Sequence, residues 1–365
     1  MEKSTKALRR ISDTPALDVV DLLTQLARAL VGKGPALGFG DISAEQVPDR
    51  VAVVIASSGS TGERKEVGLS ASALLSSATA SNKNLGARHG QVWSLLLPLT
   101  HIAGVNVLVR SLELGTAPLD LRRATTYPKA DFTAIVPTQL FRALNGDGKL
   151  LQHLQNCRAV LVGGAALSDS LLGKAQENGI KIVSTYGMSE TSGGCIYDGY
   201  PLEGVQLRIE AGVIQIKGLT LATTYINNEQ AWQESLIEGW FVTNDLGEYS
   251  SGKLQVLGRS DEVVITGAEK VSLQAIEDAL SAQYPGIEFA GFFIAEEEWG
   301  QALHVALTGI DSPTDNEIIL TLSSALGEAA KPKGIIRLAT LPRTSIGKVD
   351  RKVLQALVGK TDDIT

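Results

Sequence analysis

Two cysteines in 365 residues, Cys157 and Cys195, exclude a disulfide framework, and no Cys/His grouping has zinc spacing. Each fits a small buried hydrophobe better than a metal ligand. An excess of basic charge is also missing. Lys and Arg number 33 against 40 Asp and Glu, a net charge of −7, which argues against non-specific binding to nucleic acid or an anionic membrane. A local basic pocket for an anionic small molecule stays open. No run approaches the roughly 20 apolar residues that span a bilayer, so no membrane insertion is expected. Met1 to Asp13 is charged and lacks the apolar core of a secretory signal, and a cytoplasmic soluble protein is the default. The two commonest nucleotide loops are absent as well. Gly32-Lys33 and Gly347-Lys348 lack the Ser/Thr that closes a phosphate loop of the G-x-x-x-x-G-K-[ST] type. Gly38-Phe39-Gly40 lacks the third Gly of a dinucleotide fingerprint.

What is present is a length beyond what one hydrophobic core usually supports, so two domains are expected. Thr14-Pro15 suggests a helix N-cap followed by Pro at the first helical position. Apolar runs at Val51–Ala56, Val92–Leu97, Phe132–Val136, Ala159–Val162 and Lys181–Ser184 have the pattern of buried strands. Helical patterns fall between them at Ser70–Ser81, Ile102–Leu114, Gln139–Leu144 and Ser168–Glu177. That alternation predicts an α/β domain with a mostly parallel sheet covered by helices. After Tyr200, short alternating runs separated by turns predict a β subdomain. The charged break Arg259-Ser260-Asp261-Glu262 then precedes a new α+β pattern. The expected domains are 1–258 and a small mobile domain over 259–365, with a hinge at the break.

Ser57-Ser58-Gly59-Ser60-Thr61-Gly62 followed by Lys65 directly continues the apolar run from Val51. Glycines let backbone N–H groups turn inward, hydroxyls add donors and Lys65 adds a cation, which is a way to hold phosphate. Such a loop also serves as a plain surface turn. Tyr186-Gly187-Met188-Ser189-Glu190-Thr191 follows a predicted strand end, where open α/β sheets place ligands. Glu190 there is either a solvated carboxylate or a ligand for Mg²⁺ beside phosphates. Asp245, after Gly239-Trp240-Phe241-Val242-Thr243-Asn244, either caps a turn or accepts hydrogen bonds from a ribose diol, with Arg259 able to reinforce it. Lys348 alone has the character of a surface lysine. Their joint occurrence in this order favours chemistry.

On these motifs the chain resembles the adenylate-forming superfamily of acyl- and aryl-CoA synthetases, from about Val51 to Lys352. The resemblance implies a phosphate grip at Ser57, Ser58, Gly59, Ser60, Thr61, Gly62 and Lys65, and an acyl-pocket segment at Pro98-Leu99-Thr100-His101. It implies an adenine-lining turn at Gly163-Gly164-Ala165, continued by Thr185, Tyr186, Gly187, Met188 and Ser189, with Tyr186 stacked on adenine. Glu190 falls on the magnesium position, Asp245 and Arg259 on the ribose-binding pair, Asp261 on the hinge and Lys348 on the catalytic lysine. The implied chemistry is adenylation of a carboxylate by MgATP, rotation of the small domain, and displacement of AMP by the thiol of CoA. Two departures stand out: Arg64-Lys65-Glu66 replaces the usual Pro-Lys-Gly, and little chain precedes the phosphate loop.

Within the family, His101-Ile102-Ala103-Gly104, the Tyr186–Thr191 segment and Thr266-Gly267-Ala268-Glu269-Lys270-Val271-Ser272 resemble the short o-succinylbenzoate–CoA ligases of menaquinone synthesis, and the short N-terminus agrees. That substrate is an aromatic dicarboxylate. Arg110, nine residues after His101, is either a carboxylate partner or an ordinary helix-face Arg, and Ser192-Gly193-Gly194 suits a pocket floor for a flat ring. Another aryl-acid adenylating enzyme with a carrier-protein acceptor, and a non-catalytic nucleotide-binding relative, remain as alternatives. Oligomeric state is open, a homodimer included.

Overall fold

The computed structural model describes residues 4–58, 64–260, 263–266, 269–296, 300–309, 312–344 and 349–359. Two sheets make the body of the protein. A seven-stranded sheet has the order Tyr200–Pro201, Gly193–Tyr197, Ile182–Met188, Ala159–Val162, Phe132–Ile135, Trp93–Leu95, Leu119–Asp120. Its strands run parallel from Ile182–Met188 onwards, and the Gly193–Tyr197 hairpin closes the other edge antiparallel. Ala159–Val162 is buried at every position, as a strand covered by helices on both faces must be.

The second, six-stranded sheet is mixed, in the order Thr224–Tyr225, Arg64–Ser70, Val51–Ser58, Ala36–Phe39, Thr5–Ile11, Gln46–Pro48. Val51–Ser58 and Arg64–Ser70 are antiparallel partners, with Ser57 opposite Lys65, so the Ser/Thr/Gly segment is the tip of a hairpin. Helices Val19–Leu30, Ala71–Asn84 and Ile102–Glu113 pack between the two sheets, and one continuous apolar core joins them. Ala71–Asn84 is poor in large apolar residues, yet Ser77, Ser81 and Asn82 are buried. Each has a partner: Ser77 Oγ donates to Ser192 O at 2.9 Å, Ser81 Oγ meets Tyr197 Oη at 2.7 Å, and Asn82 Nδ2 donates to Arg110 O at 3.2 Å. With these bonds made, small polar residues let the inner helix approach closely, although the buried Asn82 Oδ1 has no hydrogen-bond partner among the described residues.

One sequence expectation is corrected at the first helix. It begins at Val19 with Asp18 as N-cap, whose carboxylate accepts from Val20 N and Asp21 N, and Thr14-Pro15 stays outside it. A carboxylate on extended backbone at Asp18 satisfies the end N–H groups directly, so nothing is gained by starting earlier.

The β subdomain is antiparallel throughout: Val205–Glu210, Val213–Gly218, Trp240–Ser250 and Leu236–Ile237 in order, with Lys253–Arg259 also paired to Trp240–Ser250. Beyond it a hairpin, Val263–Thr266 with Glu269–Ser272, leads to a three-stranded sheet of Phe289–Glu296, Gly300–Thr308 and Gly334–Leu338. Helices Leu273–Gln283 and Asp315–Leu326 share its apolar core, and Arg351–Gly359 packs on Phe289–Glu296. The fold is therefore α/β, with a β subdomain and a small α+β portion at the C-terminal end. The expected mostly parallel layer is the seven-stranded sheet, whereas the six-stranded one is mixed because its hairpin and edge strands pair antiparallel. Among the described residues no helix is long and apolar enough to cross a membrane.

Candidate active site

The ends of the two sheets and the β subdomain converge on two small networks. The first joins residues far apart in sequence. Lys65 Nζ donates to Tyr225 Oη at 3.4 Å and lies 4.7 Å from the centre of its ring. Tyr225 Oη donates to Glu190 Oε1 at 2.9 Å. Burial and then the Glu190 charge push the Tyr225 hydroxyl upward, so it keeps its proton and remains the donor. Glu190 is only 8% exposed, which removes the reading of a solvated carboxylate. Its backbone is held too, because Ala222 N donates to Glu190 O at 2.7 Å.

Glu190 sits in a short turn, Ser189–Thr191, that follows strand Ile182–Met188. Thr191 Oγ1 locks this turn by accepting from Met188 N at 2.9 Å and donating to Gly193 O at 2.8 Å. Ser192 follows at φ 53°, and its carbonyl accepts from Asn106 Nδ2 at 2.7 Å as well as from Ser77. Gly193 is required here: its φ is +87°, and a Cβ would stand 2.1 Å from Asn106 Nδ2. Thr185, Tyr186, Gly187 and Met188 occupy the end of this strand. Next to it Ala159–Val162 ends at the Gly163-Gly164-Ala165 turn, and Thr185 Oγ1 donates to Val162 O at 3.3 Å.

The second network is Tyr186, Asp245 and Arg259. Tyr186 Oη donates to Asp245 Oδ2 at 2.7 Å, and Arg259 Nη1 is 3.9 Å from Asp245 Oδ1. Asp245 and Arg259 are direct cross-strand partners, which fixes that pair by register. Burial, followed by the Asp245 charge, pushes the Tyr186 hydroxyl well above its ordinary value and keeps it protonated. Thr243 Oγ1 accepts from Asp245 N at 3.1 Å, holding the backbone beneath the carboxylate.

His101 lies at the N-cap of helix Ile102–Glu113 on extended backbone, without a side-chain capping bond. Gly104 lets that helix sit on the preceding segment, since a Cβ would stand 2.3 Å from Pro98 O. The same segment is staked from the N-terminal side. Asp13 Oδ2 accepts from Leu99 N at 2.9 Å, and Asp13 pairs with Arg122, which also contacts Asp120 at 2.7 Å. Arg110 is 3% exposed, with Nη2 donating to Tyr197 Oη at 3.1 Å and its guanidinium 5.1 Å from the Trp93 ring centre. No carboxylate contacts it among the described residues, and it is not a solvated helix-face Arg.

Gly59, Ser60, Thr61, Gly62, Asp261 and Lys348 fall outside the described residues, as does the side chain of Ser58. Glu66, the departure next to Lys65, is buried and its Oε1 accepts from Ser43 N at 2.5 Å and Ser43 Oγ at 2.7 Å. Its charge is thus spent on anchoring a neighbouring loop. Cys195 and Cys157 are both buried, and burial pushes each thiol up to about 12, which leaves neither as a nucleophile. Tyr225, Asn106, Asp13 and Arg122 were missed by sequence reasoning. Only Tyr225 had a usable signal, an aromatic beside Thr224 in a segment otherwise rich in small and polar residues.

The described residues hold no group of three or more His, Cys, Asp or Glu that would bind a metal alone. One buried carboxylate with a cation nearby instead fits Mg²⁺ carried mainly by phosphate oxygens. Such an arrangement suits a nucleotide-dependent enzyme of the adenylate-forming class.

The comparisons agree with that class. The family of AMP-binding enzymes matches residues 2–217, and this chain belongs to it. A relative from Mycobacterium tuberculosis named "Probable 2-succinylbenzoate–CoA ligase" is 38% identical over 93% of this chain and 96% of its own length. The 2-succinylbenzoate–CoA ligase of Bacillus mycoides is 30% identical over 84% of this chain and 70% of its own. Among solved structures, o-succinylbenzoate CoA synthetase (MenE) from Bacillus subtilis, in complex with the acyl-adenylate intermediate OSB-AMP, has a TM-score of 0.74. It is 23% identical and covers 95% of this chain and 83% of that one, a likeness of fold.

Proposed function

We propose that this chain is an AMP-forming acid–thiol ligase that joins 2-succinylbenzoate to CoA. The observation that carries the reading is the 38% identity, across nearly the whole of both chains, to a relative bearing that name. The two networks support it, because together they offer a cation and a carboxylate for a polyphosphate and a second carboxylate for a ribose.

In this reading Ser57 to Gly62 and Lys65 grip the β- and γ-phosphates. Gly163 to Ala165 and the Tyr186 ring enclose adenine, and Asp245 with Arg259 takes the ribose diol. Glu190 would hold magnesium, which when bound neutralises charge on the phosphates. A substrate carboxylate oxygen attacks the α-phosphorus, the bond to the β-phosphate breaks, and pyrophosphate leaves. Lys348, on the C-terminal part, neutralises charge developing on the attacking and α-phosphate oxygens. That part, 259–365, then turns about Asp261 relative to 1–258, and the CoA sulfur attacks the acyl carbon and expels AMP.

His101 borders the acyl pocket, with Ser192, Gly193 and Gly194 as its floor. Arg110 is assigned the second carboxylate of the acid. A buried guanidinium with no acidic partner among the described residues favours an anion. The reading places the reaction in the cytoplasm, where ATP and CoA are at hand, and admits a homodimer. Acid-dependent exchange of labelled pyrophosphate into ATP, run over a panel of aryl and succinyl-aryl acids, tests it. Strongest exchange with 2-succinylbenzoate is expected, and no exchange with any acid contradicts the reading.

A further inference from the structure

Lys65 and Glu190, of opposite charge, both contact one side chain at the heart of the site, and no ion pair joins them among the described residues. The side chain between them is Tyr225. Its hydroxyl has one proton, which goes to Glu190 Oε1 at 2.9 Å, and a lone pair that faces Lys65 Nζ at 3.4 Å. The ring also lies under the ammonium, 4.7 Å from centre to nitrogen, a cation–π distance. The tyrosine is itself held firmly. Strand Thr224–Tyr225 pairs with Arg64–Ser70 so that Tyr225 faces Val67, which puts Lys65 at the diagonal position on the same face of the sheet. Trp232 packs edge-on against the Tyr225 ring at 5.3 Å, and Phe241 stacks on Trp232 at 5.4 Å. Tyr225 is 3% exposed, so water does not substitute for it.

We propose that Tyr225 is a positioning residue that separates Lys65 from Glu190 and presents both charges, unneutralised, to a metal-complexed polyphosphate. A direct Lys–Glu ion pair in so buried a place would satisfy each charge with the other and compete with the ligand for both. The neutral hydroxyl bridges them with directional hydrogen bonds and takes up only one Glu190 oxygen and one side of the ammonium. This rests on the assignment of MgATP to this site.

Tyr225→Phe in the full-length protein tests it, since it keeps the ring, the cation–π contact and the Trp232 packing and removes only the bridge. Calorimetric titration with ATP, with and without magnesium and without any acid, gives the factor by which magnesium tightens binding. That factor is expected to fall at least five-fold in Tyr225→Phe. KM for MgATP is expected to rise by a similar factor while KM for the acid stays put, a split that a merely structural role would not produce. An unchanged magnesium factor with unchanged KM values overturns the proposal and leaves the assignment of the site intact. Failure of the unaltered protein to bind MgATP overturns both. Should Tyr225→Phe unfold, the ¹³Cζ resonance of Tyr225 in the unaltered protein carries the test. A shift on adding magnesium pyrophosphate supports the proposal, and a resonance that does not move contradicts it.

Discussion

The Tyr186 hydroxyl donates to Asp245 Oδ2 at 2.7 Å, across 59 residues of sequence, so a proposed adenine-stacking ring and a proposed ribose-binding carboxylate are bonded to each other. A ribose diol entering the site competes for that carboxylate. Tyr186→Phe removes the competitor and keeps the ring, and is expected to leave AMP affinity equal or tighten it up to about three-fold. Asp245→Asn removes the charge, and charge-assisted hydrogen bonds are worth about 1.5–3 kcal/mol each, so AMP binding is expected to weaken by about ten-fold or more. Titration calorimetry with AMP measures both. A large loss in Tyr186→Phe would mean that the hydroxyl itself holds the nucleotide.

Gly193 lies where a side chain is excluded twice, by its φ of +87° and by Asn106 Nδ2 at 2.1 Å from a would-be Cβ. Gly193→Ala must displace Asn106 and so break its bond to Ser192 O. Melting temperature is expected to drop by several degrees, and KM for the acid to rise more than KM for ATP. Equal changes in both constants would place the damage outside the acyl pocket.

Arg110 is buried against Tyr197 and Trp93 without a carboxylate among the described residues. Arg110→Met keeps an unbranched apolar filling and removes the charge. Turnover is expected to lose its preference for the dicarboxylate over its mono-ester at the distal carboxyl, by about ten-fold, the cost of about 1.4 kcal/mol. A uniform loss with both acids would make Arg110 a core residue only.

His153 gives the protein a pH-dependent stability that has nothing to do with the site. It is 2% exposed, its Nε2 lies 2.9 Å from Ser94 Oγ, and burial holds the imidazole below its ordinary value of 6.5. The unfolded chain therefore takes up this proton first. The stability tied to neutral His153 is complete above the unfolded value and is lost as pH falls through the lower, folded one. Between pH 7.5 and 5.5 the melting temperature is expected to fall less in His153→Gln than in the unaltered protein. Parallel curves would contradict this.

Much of the α/β frame was legible because buried strands and helices announce themselves locally. Ala159–Val162 has the bounds that its apolar run predicts, and helix Ile102–Glu113 differs from expectation by one residue. Thr224–Tyr225 was not legible. A two-residue strand has no periodicity, and its place at the edge of the six-stranded sheet is set by a partner some 160 residues earlier. For the same reason Glu190, Asp245 and Arg259 were found by local motif, whereas the bridge that links Lys65 to Glu190 was not. The first helix shows a different limit. Thr14-Pro15 has the residues of a helix start, and the cap at Asp18 is set by extended backbone that no local pattern announces.

The most direct test of the account is to incubate the full chain with 2-succinylbenzoate, MgATP and CoA and identify every product. The account predicts one AMP and one pyrophosphate for each 2-succinylbenzoyl-CoA formed, with turnover stopping at the bound adenylate when CoA is left out. AMP release that is indifferent to CoA, or thioester formed with a different aryl acid and none with this one, would contradict it.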